Sequence, residues 1–179
     1  MRLKRLSIQL DRLNKFKFYF FFYLFLLFFN FSFSSFACQN INYDKSEILI
    51  VSKKNKKQFK FYVEVADNEV RRKKGLQCRK ILKKNEGMLF IWKFEDHRYF
   101  WMKNTNLFLD IIFINSDLEI VDIFFNARPY DLTTIKSEKK AKFVLELKAG
   151  IFKKLNLNVG DRLFFKKIKK IVSKKLILN

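Results

Sequence analysis

Between residues 47 and 168 the apolar residues fall into eight runs of five to seven residues. They are Glu47–Val51, Lys60–Ala66, Gly87–Trp92, His97–Met102, Leu109–Ile114, Glu119–Phe125, Lys142–Leu147 and Arg162–Ile168. Runs of this length fit strands better than helices, and these are rich in aromatic and β-branched residues. Asn115–Leu118 (NSDL) between two of them reads as a hairpin turn. Two pieces break the pattern. In Asp67–Gly75, Asp67 suits an N-cap, Glu69 the first turn, Arg71–Lys74 the last turn and Gly75 the C′ position. Ala149–Leu157 reads as a second short helix or a turn. The expected fold is mainly β, a compact antiparallel sandwich or barrel-like domain with one or two short helices.

Leu107–Ile114 (LFLDIIFI) poses a sharper question. Side chains alternate between the faces of a strand, so Asp110 shares a face with Ile112 and Ile114. A buried carboxyl group is costly unless it is paired or hydrogen-bonded. The stretch therefore predicts a partner for Asp110. Lys103 and Arg79 are the expected cations, with backbone N–H groups assisting.

The N-terminus bears on location. Residues 1–17 carry six positive side chains and one negative, and residues 18–43 carry none until Asp44. A basic flank before an apolar stretch that ends in small residues is the form of an export signal. Ser35-Phe36-Ala37 fits a small-x-small cleavage site. A cleaved signal, a lipoprotein with Cys38 as its first residue and an uncleaved anchor are ranked in that order. All three leave the basic flank inside and the domain outside, in the periplasm or on the outer face of the membrane. The expected layout is a signal or anchor over residues 1–37, a linker and edge strand over 38–57, a β-domain over 58–168 and a tail over 169–179.

The formal charge of +21 comes from 38 basic and 17 acidic residues. It brings nucleic acid to mind, but the lysines are scattered. No zinc-finger spacing, glycine-rich phosphate loop or aromatic single-strand pattern accompanies them. The first 37 residues contribute five of those charges, so the exported part keeps +16 and can lie against anionic lipid. Two Cys and one His, widely spaced, give no metal constellation, and no cofactor motif is present. Cys78 reads as a small buried hydrophobe rather than half of a disulfide with Cys38. On that reading, Cys38→Ser leaves the thermal midpoint unchanged.

The motifs VEVADNEVRRKKGLQCRK, EGMLFIW, FWMKNTNLFLDIIFI, VLELKAG and LNVGDRL follow one another in the order of the "domain of unknown function 192" family. The resemblance spans Phe61 to Phe165. Its most specific marker is Phe100–Thr105 (FWMKNT) followed by Leu109-Asp110. Gln77 and Cys78 stand where that family usually has Met and an aromatic residue. The resemblance implies a small, often exported bacterial or archaeal protein with a mostly antiparallel β fold, and it implies no established activity.

The candidate ligand-binding residues are Arg79, Glu86, Trp101, Lys103, Asn104, Thr105, Asp110 and Glu146. They could line a pocket for a small molecule or envelope component, with Trp101 as a stacking platform. The commoner role of such a set is a polar network that satisfies Asp110. No nucleophile, base and oxyanion site can be assembled, and His97 reads as an ordinary surface or packing residue. The expected function is a monomeric, non-catalytic envelope binding or accessory domain. The alternative is an enzyme on an envelope polymer or small metabolite using Asp110, Glu86 and Lys103.

Overall fold

Strand β1 (Asp44–Val51) buries Ile48 and Ile50 completely, and β2 (Gln58–Ala66) buries Phe61, Val63 and Val65. Their polar residues alternate with these, so the pair has one core face and one polar face. The computed structural model describes residues 17, 19–24, 38 and 40–165. Residues 17 and 19–24, helical and exposed, belong to a first unit over residues 1–36. Everything below concerns the second unit, which begins at residue 37. Most of the expected signal segment, residues 166–168 of the last expected strand and the expected tail lie outside the described residues. Among the described residues, no helix is long and apolar enough to cross a membrane.

After β2 come α1 (Glu69–Lys74), β3 (Glu86–Asp96), β4 (Tyr99–Phe100), β5 (Leu109–Ile114), β6 (Ile120–Ala127) and β7 (Ile135–Lys136). Then follow β8 (Ala141–Lys148), α2 (Ile151–Lys154) and β9 (Arg162–Phe165). Seven strands form one sheet in the order β6-β5-β8-β3-β2-β1-β9, and β4 pairs with β7 in a separate ribbon. The sheet curls until its two edges meet. Glu119 bridges Arg162, and the Leu163 and Ile120 amides donate to Leu118 and Asp161 at 2.8 and 2.9 Å. Such closure leaves little free edge for unwanted pairing. The domain is mainly β and barrel-like, as expected.

One pairing departs from the expected antiparallel scheme: β2 and β3 run parallel. The crossover contains α1, as parallel neighbours require. The N-cap of α1 is Asn68, not Asp67: the Asn68 side chain accepts the Arg71 amide at 2.9 Å. Asp67 instead takes the Arg71 guanidinium at 3.1 Å. Gly75 closes the helix with φ 51°, a left-handed value that suits glycine.

The concave side of the sheet is filled from all seven strands, including Ile50, Phe61, Leu89, Ile112, Leu145 and Leu163. A second core lies on the other face of β3, β5 and β8 around Met88, Phe90, Ile111, Phe113 and Val144. These central strands are therefore covered on both sides, which explains why LDIIFI and FVLEL are apolar on both faces. Gly87 sits where β3 and β8 come closest. A Cβ there would lie 2.5 Å from the Glu146 carbonyl oxygen and 2.7 Å from Leu147 Cδ2. Gly87→Ala should therefore force the central strands apart and cost about 1–3 kcal/mol in chemical denaturation. A variant as stable as the wild type would show that this approach is not tight.

Asp110 is buried to 1% exposure, as its place beside Ile112 requires. Its partners are not cations. Oδ1 accepts the Asn126 amide at 3.1 Å and Oδ2 the Gly150 amide at 2.9 Å. Lys103 instead lies over the Trp101 ring at 5.3 Å, and Arg79 pairs with Glu64. Backbone wins because Asn126 and Gly150 both adopt positive φ at the ends of the neighbouring elements, which turns their N–H groups to Asp110. Asp161 repeats the device at the barrel seam, accepting the Lys53 and Asn158 amides at 2.7 and 2.8 Å.

Cys38 and Cys78 form a disulfide across 40 residues, which overturns the reading of Cys78 as a buried thiol. Both cysteines are thus engaged with each other. Cys78 is half-buried with φ 62°, on a loop rather than in the core.

Candidate functional site

In register, Lys45 pairs with Glu64 and Glu47 with Tyr62 across β1 and β2. Tyr62 lies beside Glu86 and Glu64 beside Met88 across β2 and β3. Met88 lies beside Glu146 across β3 and β8. Paired residues share a face, so these side chains form one polar field on the outer side of the sheet. The segment from Leu76 to Leu82 supplies the opposite wall. Between them is a pocket of about 470 Å³ lined by Lys45, Glu47, Tyr62, Glu64, Arg79 and Glu86, among others.

The wall is held from three sides. The Cys78 amide donates to the Asn104 carbonyl at 2.8 Å, and the Arg79 amide to the Leu76 carbonyl at 3.1 Å. The Asn104 side chain reaches Gln77 Oε1 at 3.4 Å, and the disulfide fixes Cys78 to Cys38. Arg79 leans onto Glu64 with its side chain 42% exposed, so the pair is worth at most about 1 kcal/mol and can open toward a ligand. A Lys83 hydrogen bond holds the Glu86 carboxyl below its ordinary range. Tyr43, whose hydroxyl donates to the Gly75 carbonyl at 3.2 Å, feels Glu64, Arg79 and Glu146 together. Burial first, then Glu64, pushes its phenol up to about 12.

Of the residues expected at a site, Arg79 and Glu86 line the pocket and Asn104 braces its wall. Trp101 and Lys103 lie in the loop after β4 and are not among the residues that line the pocket. Thr105 is buried and donates its hydroxyl to the Lys103 carbonyl at 3.2 Å. Asp110 is engaged by backbone amides on the other face of its strand. Asp110, Glu86 and Lys103, the residues of the enzymatic alternative, have separate partners: backbone amides, Lys83 and the Trp101 ring. His97 Nδ1 contacts the Ser137 carbonyl at 2.9 Å, a packing role. Lys45, Glu47, Tyr62 and Glu64 escaped sequence reasoning. The alternation in Phe61–Val65 does put Tyr62 and Glu64 on one polar face, but which strands lie beside them is a tertiary fact.

Glu146 lies one strand beyond Met88 on the same face, with 5% exposure, among Met88, Ile111 and Val144. Among the described residues, no hydrogen bond or salt bridge compensates it. Burial alone pushes its carboxyl up to about 8. The native state then holds a proton that the unfolded chain loses near the ordinary carboxylate value. This contribution is complete below that value and disappears as pH rises through about 8. Wild-type stability should therefore decline from about pH 5 to pH 9, by an amount of the order of a few kcal/mol. Glu146→Gln, a mimic of the neutral acid, should flatten that decline in pH-dependent denaturation. Parallel profiles for the two proteins would contradict a neutral Glu146.

Comparison with known proteins places this geometry. A crystal structure of a protein from Sinorhizobium meliloti 1021, described as a candidate transcription regulator, superposes with a TM-score of 0.68 at 35% identity. The match covers 71% of this chain and 98% of that one. A protein of unknown function from Novosphingobium aromaticivorans DSM 12444 gives 0.63 at 32% identity, over 66% of this chain and 83% of that one. A UPF0127 protein of Pyrococcus abyssi (strain GE5 / Orsay) is 30% identical over 120 residues, which are 64% of this chain and 94% of that protein. Each match covers most of the other protein's length. The family model described as Uncharacterized ACR matches residues 50–165, from within β1 to the end of β9, and the chain belongs to this DUF192 family.

Proposed function

We propose that this protein is an exported, non-catalytic envelope domain that binds a small polar ligand in the Arg79 pocket. The observation that carries the reading is the pocket's lining: an aromatic face at Tyr62, donors at Lys45 and Arg79 and acceptors at Glu64 and Glu86. A concave site with a few convergent polar groups is the usual form of a small-molecule site. An aromatic platform flanked by carboxylates and an Arg suits a hydroxyl-rich or amino-bearing ligand such as an envelope saccharide. The disulfide supports the export half, because such bonds persist mainly in oxidising compartments. The basic and apolar N-terminus supports it independently. An alkaline phosphatase fused after Asn179 should be active, since that reporter works only outside the cytoplasm; an inactive, intact fusion contradicts export. Titration calorimetry against neutral and amino oligosaccharides should give binding that Tyr62→Ala and Arg79→Ala each weaken more than about tenfold. Absence of binding across the panel, or binding that survives both changes, contradicts the pocket.

A further inference from the structure

We propose that the outer face of the β4–β7 ribbon is a docking surface for an anionic phospholipid bilayer. The inference deepens the location half of the reading above and is independent of the Arg79 pocket. It begins with an alternation. Along Tyr99–Lys103, Phe100 and Met102 turn inward: Phe100 packs edge-on against Phe90, Trp92 and Phe113, and Met102 is 1% exposed. Tyr99 and Trp101 turn outward and are 63% and 52% exposed. The inward side is already saturated with apolar partners, so the outward aromatics have no folding role to explain them.

The neighbouring strand continues the face. Lys136 lies opposite Tyr99 in register, and Leu132, in the loop that leads into β7, is 63% exposed. The Met102 amide donates to the Asp131 carbonyl at 2.8 Å, which holds the backbone of that loop against the segment that carries Trp101. Two lysines frame the rings: Lys136 Nζ lies 6.0 Å from the Tyr99 centroid and Lys103 Nζ 5.3 Å from that of Trp101. Arg128, Lys139 and Lys140 add positive charge in the same segment, against Asp131 and Glu138.

This composition matches one kind of partner. Trp and Tyr settle at the headgroup level of a bilayer, and lysine ammonium groups nearby are drawn to anionic headgroups. The chain also carries the means to be near a membrane, an uncharged stretch over residues 18–43 preceded by six basic residues. A surface used for an acidic protein would need the charges but not the exposed Trp, Tyr and Leu together. A surface for a second copy would place lysines against lysines around its own two-fold axis.

The test uses the chain from Cys38 onward, which falls within the second compact unit, and a match to this chain covers 98% of a protein solved as a crystal structure. Its co-sedimentation is measured with phosphatidylglycerol–phosphatidylcholine vesicles and with phosphatidylcholine alone. Binding is expected with the anionic vesicles only. Tyr99→Ser/Trp101→Ser/Leu132→Ser should weaken it at least about tenfold, and so should Lys103→Glu/Lys136→Glu. Lys54→Glu/Lys57→Glu, in the turn after β1, changes the net charge equally and should have a smaller effect. Thermal midpoints of all variants are read in parallel, and saccharide titration at the Arg79 pocket should be unaffected by the ribbon changes. The proposal is overturned if the wild type ignores anionic vesicles, or if the turn and ribbon charge variants weaken binding alike. It is also overturned if the aromatic variant, still folded, binds as before. Loss of dimerisation rather than vesicle binding in that variant would assign the face to a second copy instead.

Discussion

The Cys38→Ser/Cys78→Ser variant should unfold about 4 kcal/mol more easily than the oxidised wild type. The disulfide closes a loop of 40 residues, and the cost of closing such a loop in the unfolded chain sets that figure. The bond also acts locally. It ties the chain ahead of β1 to the segment that walls the Arg79 pocket. Reduction of the wild type should therefore lower its midpoint to that of the double variant, and should loosen amide protection first between Leu76 and Leu82. Equal midpoints for oxidised, reduced and substituted protein would show that the bond contributes nothing. The change is made at both cysteines so that no lone thiol can pair with another molecule.

Asp110→Ala should cost about 2–4 kcal/mol, because two amides, those of Asn126 and Gly150, lose their acceptor together. Asp110→Asn should fall between, since its amide keeps one oxygen but turns a donor toward the second N–H. Lys103→Ala and Arg79→Ala should each stay within about 1 kcal/mol of wild type, being an exposed lysine and a half-exposed ion pair. Each should add to Asp110→Ala without coupling. Urea denaturation of the four variants checks the pattern. A Lys103 or Arg79 change as damaging as Asp110→Ala would restore a cationic partner and contradict the geometry.

These two results show where the sequence was legible. The burial of Asp110 followed from strand alternation, because it shares a face with Ile112 and Ile114, both fully buried. Its partners did not, because Gly150 lies 40 residues away and comes near only when β8 pairs with β5. The barrel-like β fold was readable from the lengths and spacing of the apolar runs. The parallel pairing of β2 with β3 was not, since nothing in Lys80–Asn85 marks a crossover. Strand β7, two residues long, is too short to carry a period, so its partner β4 was read as six residues instead of two. Within the candidate site, Arg79 and Glu86 stood out as charged residues beside apolar runs. Tyr62, Glu64, Lys45 and Glu47 looked like ordinary solvent-facing positions, and only the register of three strands gathers them.

The central claim is that the Arg79 pocket binds a small polar ligand, and amide chemical-shift mapping tests it most directly. Isotope-labelled domain is titrated with neutral and amino oligosaccharides. The account predicts saturable shifts clustered at Lys45–Glu47, Tyr62–Glu64, Arg79 and Glu86–Gly87, with Trp101 and Lys103 unmoved. Shifts centred on Trp101, or none at any residue across the panel, would contradict it.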